Sequence, residues 1–145
     1  MRRESRGGRD SSVDLLQWAA LGVSSYVEGV LKERGLTMDQ WRVLRALVGQ
    51  GPQTMSALAA STRITGPTLT RVVDRLAESA LVYRNVDAED RRRVVVHAAN
   101  RGTALVRSLS PLITEAEHAG LSALTDQERR TLRRLLERLD QPASP

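Results

Sequence analysis

Between Arg63 and Arg101 the chain concentrates one kind of chemistry. The stretch "RITGPTLTRVVDRLAES" sets Thr65, Thr68 and Thr70 beside Arg71 and Arg75, and Arg91, Arg92 and Arg93 follow shortly after. Short hydroxyls at the start of a helix can bond phosphate oxygens or base edges, and their methyls can touch thymine. A guanidinium is planar and long enough to reach O6 and N7 of guanine together. The helix N-terminus itself adds outward N–H groups and the positive end of a dipole, which favour an anion. Together these residue types suit recognition of a polyanion, and they leave little room for catalysis. There is no P-loop, no Gly-rich dinucleotide fingerprint and no nucleophile elbow. His97 and His118 are the only histidines, so a zinc site would need two carboxylates to join them, and both read as ordinary surface or boundary residues.

The charge distribution points the same way. Residues 63–101 hold eight Arg against Asp74, Glu78, Asp87, Glu89 and Asp90, a local excess of three. Residues 1–10 hold four Arg against Glu4 and Asp10, and the remainder balances, so the net charge of +5 sits in these two segments. Of 22 basic residues only Lys32 is not Arg. That imbalance alone is equally explained by a GC-rich genome, so position, not composition, carries the argument. The absence of cysteine excludes disulfides, a thiol switch and a Cys nucleophile,. No apolar run reaches about 18 residues and the basic start lacks a signal-peptide core, so a soluble, cytoplasmic, nucleoid-associated protein is expected, with no membrane contact and no cofactor.

The elements that must position these groups follow from periodicity. Residues 1–11 read as a flexible basic tail. From Ser12, Val13, Leu16, Ala20, Val23, Val27 and Val30 recur at helical intervals over about five turns, with Leu15, Ala19, Gly22 and Tyr26 as a second stripe,. That is more apolar surface than a small domain covers, which predicts contact with another chain. Gly35 suits the end of this helix. Thr37 with Gln40 reads as a capping box opening a helix whose buried face is Trp41, Leu44, Leu47 and Val48. A short helix capped by Thr54 or Ser56 follows, with Leu58 inward, and Arg63 and Ile64 make the turn. The next helix starts at Thr65, accommodates Pro67 in its first turn, and buries Leu69, Val72, Val73 and Leu76. "LVYRNV" and "RRVVVHA" then form a β-hairpin joined by "DAED",. A helix over about 103–120, with Pro111 as a candidate kink, precedes a last one opened by a Thr125/Glu128 capping box and striped with Leu132, Leu135, Leu136 and Leu139. Residues 141–145 read as a frayed tail.

Three helices followed by a hairpin make a winged helix-turn-helix, about 37–100, within a single domain spanning 12–140. The fold class is therefore mainly α with a small β-hairpin, flanked by long terminal helices over about 12–34 and 103–139. In this order and spacing, "LTMDQWRVLRAL", "MSALAASTRITGPTLTRVVDRLAESALV", "DAEDRRRVVVHAANRG" and "LTDQERRTLRRLLERL" resemble the MarR (multiple antibiotic resistance regulator) family of bacterial transcriptional regulators. The resemblance runs from about Leu15 to Leu139, and its most specific part is the Asp87-x-x-Asp90-Arg91-Arg92 wing. It implies terminal helices that interleave two subunits into a homodimer. It implies a DNA-binding regulator, commonly a repressor on a pseudo-palindromic operator, responsive to a small phenolic or hydrophobic anion and without catalysis. Three positions depart from the family pattern. Ala80 stands where a helix-ending Gly is usual, Ala98-Ala99 replace Leu-Thr before the fifth helix so that capping passes to Asn100, and no peroxide-sensing cysteine is present.

The expected DNA contacts are Thr65, Thr68, Thr70, Arg71 and Arg75 in the major groove, with Arg91 and Arg92 at a minor groove whose narrow, negative walls attract guanidinium. Asp90 is expected to brace an arginine by a bidentate pair, and Arg93 to run along the strand. The blander alternatives stay open at this point: Thr65 as a simple cap, Arg75 paired with Asp74 or Glu78, and the hairpin tip as a solvated turn. So does a winged-helix protein-interaction module whose basic face is incidental. Trp18, Tyr26, Trp41 and Arg42 could line an effector crevice, or the tryptophans could fill core, and the sequence fixes no effector residue, operator or sign of regulation.

Overall fold

Hydroxyl caps decide where four of the six helices among the described residues begin. The computed structural model describes residues 11–141. The tails expected over 1–11 and 141–145 therefore lie, except for Ser11 and Gln141, outside the described residues. Helix α1 spans Ser12–Lys32 behind a Ser11/Asp14 capping box, α2 spans Met38–Gln50 behind Thr37/Gln40, and α6 spans Asp126–Asp140 behind Thr125/Glu128. In the last of these the backbone N–H and hydroxyl of Thr125 both donate to Glu128, which holds that carboxyl below the usual carboxylate range,. Helix α3 (Met55–Thr62) is capped by Thr54, whose hydroxyl accepts the Ala57 N–H, and α4 covers Gly66–Glu78. Helix α5 covers Asn100–Gly120 and runs on through Pro111.

The sheet has one strand more than the sequence suggests. β2 (Val82–Val86) and β3 (Val94–Ala98) form the expected hairpin, with Val82 opposite Ala98 and Val86 opposite Val94. The two residues of β1 (Gln53–Thr54) add to the far edge of β3, opposite Val96 and Val95, giving the order β1-β3-β2. Two residues have no periodicity to read. They are a strand only because α2 and α3 hold them beside β3.

The core is aliphatic, as a chain without Phe requires. Leu31, Val43, Leu44, Leu58, Leu69, Val73, Leu76, Val96 and Leu109 are fully buried, with Trp41 at 3% exposure. At about 1.5–3 kcal/mol per buried Leu or Val side chain, this cluster is the main source of stability. It lies where α2, α3, α4, the inner face of the sheet, α5 and the C-terminal half of α1 converge. Of the long α1 stripe only Val27 is buried, joined by Leu31, which the stripe did not include, while Val13 and Leu16 stay exposed. No residue of α6 is buried.

Two corners depart from the sequence reading. The helix exit at Ala80 is a Schellman closure, with Leu81 N–H bonding Leu76 O and Ala80 N–H bonding Ala77 O, both at 2.9 Å,. It puts Ala80 at φ +56°, a left-handed conformation in which a Cβ is strained. Gly35 does the same after α1 at φ +68° without that cost,. The second corner concerns Asn100, which does not cap α5. Ala99 is the N-cap, with no side-chain cap. Tertiary contact starts this helix instead: Ala99 N–H donates to Leu81 O at 3.0 Å, and Gly102 is buried against that same carbonyl.

Candidate nucleic-acid interface

Helix α4 is divided cleanly by its sequence. Leu69, Val72, Val73 and Leu76 are buried, whereas Thr70, Arg71, Asp74, Arg75 and Glu78 are exposed and Thr68 is half-buried. Thr65 is the N-cap residue by backbone geometry, yet its side chain caps nothing. Its hydroxyl lies 3.3 Å from that of Thr68. The first turn is thus left without a side-chain cap at a helix end carrying partial positive charge, which favours an incoming anion. Thr70 uses its hydroxyl proton on Gly66 O at 3.1 Å, so the oxygen remains an acceptor only.

Arg71 and Arg75 are exposed and make no ion pair or hydrogen bond among the described residues. The pairing of Arg75 with Asp74 or Glu78 left open above does not form. Asp74 is instead taken by Arg84 of β2, at 2.5 Å. That pair is exposed and worth about 1 kcal/mol at most, but it ties the strand of the wing to the helix beside it. The sequence reading missed Arg84. The available signal was an acid on the exposed edge of α4 followed by an arginine in the next strand.

The wing tip is built from aspartate–backbone bonds. Asp87 Oδ1 accepts the Glu89 N–H and Asp90 Oδ1 accepts the Arg92 N–H, each at 3.0 Å. Arg93 N–H donates to Asp90 O, and Asp87 N–H to Arg93 O. Asp90 therefore braces the turn, not a guanidinium, which corrects the expected bidentate pair. The physical reason is reach. A short carboxylate bonds an amide two residues ahead at little entropic cost, whereas pairing with arginine would have to immobilise a long side chain. Arg91, Arg92 and Arg93 are consequently exposed and without an acidic partner among the described residues.

The suggested effector crevice is not assembled as the sequence grouped it. Trp41 is core, Trp18 and Tyr26 remain 53% and 51% exposed on α1, and Arg42 pairs with Asp39 at 3.2 Å. His97 stacks on Tyr83, ring centroids 4.9 Å apart. Among the described residues no group of three or more His, Cys, Asp or Glu could hold a metal ion, and no helix is long and apolar enough to cross a membrane.

Residues 34–93 match the family model described as MarR family. The chain is 29% identical over 128 residues to the homoprotocatechuate degradative operon repressor of Escherichia coli, covering 88% of this chain and 86% of that protein. Among solved structures, a probable transcriptional regulator of Pseudomonas aeruginosa superposes with a TM-score of 0.82 at 32% identity, covering 90% of this chain and 97% of the other. Bordetella bronchiseptica BpsR, whose DNA binding is regulated by 6-hydroxynicotinic acid, gives a TM-score of 0.85 at 26% identity over 92% and 95%.

Proposed function

This chain belongs to the MarR family, and we propose that it is a sequence-specific regulator of transcription, a ligand-responsive repressor that binds double-stranded DNA as a cytoplasmic homodimer. One observation carries the reading. The uncapped first turn of α4, with Thr65, Thr68, Arg71 and Arg75, stands beside a wing whose tip arginines, Arg91, Arg92 and Arg93, have no acidic partner among the described residues, and the Arg84–Asp74 pair joins the two. Two such units about a two-fold axis place their recognition helices roughly 34 Å apart, in successive major grooves of a pseudo-palindromic operator. This work needs no catalytic step.

The two halves of the site fail differently when cut back. Arg71→Ala is expected to cost on the order of 1–3 kcal/mol on the operator and much less on scrambled duplex, since it removes a base-edge contact. Arg91→Ala is expected to weaken both duplexes alike and to reduce the slope of log affinity against log salt by about 0.9 for each phosphate no longer neutralised. A salt titration of both variants on both DNAs, with circular dichroism for folding, decides the matter. Unchanged affinity and slope for Arg91→Ala would reduce the wing to a polar turn. Weak, sequence-blind retention by the wild type would favour the protein-interaction module.

The effector site we assign is a cleft of about 530 Å³ between the α1–α2 turn, the exit of α4 and the start of α5. Leu36, Leu76, Leu81 and Leu105 supply apolar walls and Arg34 and Arg101 supply charge, which suits a small aromatic carboxylate. An occupant would touch both the recognition helix and the long α5, so it could bias one against the other. With 6-hydroxynicotinate as probe, the wild type should lose operator affinity, while Arg101→Ala should bind operator normally and ignore the acid. Equal responses from both proteins would remove Arg101 from the site.

A further inference from the structure

Behind the turn that launches α4 lies a second basic surface that neither the recognition helix nor the wing includes. It is a groove of about 370 Å³ between the outer face of α2 and the end of α3, holding Arg42, Arg45, Ser61, Thr62 and Arg63 and no carboxylate among its lining residues. Arg42 and Arg45 stand at i, i+3 on one exposed face of α2, so their like charges are neighbours and gain from an anion between them. Arg63 holds the left-handed position of the α3–α4 turn, at φ +57°, two residues before Thr65. A duplex seated on the first turn of α4 must therefore carry its backbone past this guanidinium.

The three arginines are not equally engaged. Arg42 bonds Asp39 at 3.2 Å, within its own helix. Arg45 has no ion-pair or hydrogen-bond partner among the described residues. Arg63 is met at 2.5 Å by the carboxylate of Asp140, the last residue of α6. An anionic oxygen brought from a distant element thus already meets one of the groove's three guanidinium groups. Ser61 and Thr62 turn their hydroxyl protons inward, to Gln53 Oε1 and to Leu58 O, so binding here rests on guanidinium charge.

We propose that the Arg42–Arg45–Arg63 groove binds a backbone phosphate of the operator next to the half-site read by α4, and that Asp140 competes with that phosphate for Arg63. The inference rests on the DNA-binding reading above. A groove of this kind adds affinity and fixes register without reading sequence.

The test neutralises backbone phosphates of the operator one at a time as methylphosphonates and compares the wild type with Arg45→Ala and Asp140→Asn. Arg45→Ala should weaken operator and scrambled duplex by the same factor, about fivefold, with the salt slope lower by about 0.9. One methylphosphonate position should weaken the wild type and leave Arg45→Ala without further loss, because that variant no longer holds the phosphate in question. Asp140→Asn should tighten binding about twofold by releasing Arg63. A wild type that binds no duplex overturns the regulator reading and this one with it. A wild type that prefers operator while Arg45→Ala matches it in affinity, slope and methylphosphonate profile overturns the groove alone. Unaltered affinity of Asp140→Asn overturns the competition.

Discussion

Deleting residues 126–145 is expected to yield aggregated or unfolded protein, because α6 is half of an apolar surface that one chain leaves open. Leu135, Leu136 and Leu139 of α6 are 45%, 44% and 70% exposed, and Val13, Leu16, Trp18 and Leu21 of α1 are 61%, 45%, 53% and 71% exposed. An open face of this extent on two long helices marks an interface, not a solvated surface. A second copy of the chain can cover it through a two-fold contact, in which each residue of the patch is used twice. Leu136, which lines one hollow with Leu16 and Leu139, permits a milder version of the same test. Leu136→Glu removes about 2 kcal/mol of apolar burial from each subunit, so the dimer loses about 4 kcal/mol, on the order of a thousandfold in dissociation constant. Sedimentation at graded concentration reads this directly. A folded, soluble monomer after the truncation, or a Leu136→Glu dimer as tight as the wild type, would refute the argument.

What is legible in the sequence is whatever is coded locally. A hydroxyl three residues ahead of an acid or amide places a helix start, so Thr37/Gln40 and Thr125/Glu128 can be read. Ser11/Asp14 obeys the same rule but is overshadowed by the apolar pattern behind it. The inward face of α4 follows from its period, and Trp41 from its place on the α2 face. The illegible parts are those that depend on elements brought together from far apart. β1 is a strand only by virtue of β3. Arg84 finds Asp74 ten positions back, and Arg63 finds Asp140 across most of the chain. The start of α5 falls earlier than its sequence suggests because a backbone bond to Leu81 sets it, with no side-chain cap to announce it. The α1 stripe predicts a helix correctly but not its burial, since periodicity shows which residues share a face and not what meets that face. Asp90 reads as a partner for guanidinium because charge complementarity is visible in a sequence. The competing bond to a backbone amide is visible only once the turn is closed.

The exit of α4 and the start of α5 meet in one corner, and two substitutions of opposite kind should move stability in opposite directions there. At Gly102 an added Cβ would overlap the carbonyl oxygen of Leu81 and stand 3.2 Å from Leu44 Cδ2. That oxygen cannot move aside freely, because it accepts the Ala99 N–H and because Leu81 N–H closes the Schellman turn on Leu76 O. Alanine's better helix propensity returns at most about 1 kcal/mol, while the overlap must push α5 off the sheet and off α2. Gly102→Ala is therefore expected to cost about 2–3 kcal/mol. At Ala80 the strain lies in the wild type. The residue is exposed and held at φ +56°, where a Cβ costs about 1–2 kcal/mol. Glycine removes that strain and gives back part of the gain as unfolded-state entropy. Ala80→Gly should thus stabilise by about 0.5–1 kcal/mol. At roughly 3–4 °C per kcal/mol for a chain of this length, thermal unfolding followed by circular dichroism at fixed protein concentration separates the pair by about 10 °C. Neither residue belongs to the proposed DNA contacts, so a change in midpoint reports the corner itself. Were Gly102→Ala as stable as the wild type, the close approach of α5 to the Leu81 carbonyl would not hold in solution. Were Ala80→Gly destabilised, the left-handed exit would have to be abandoned.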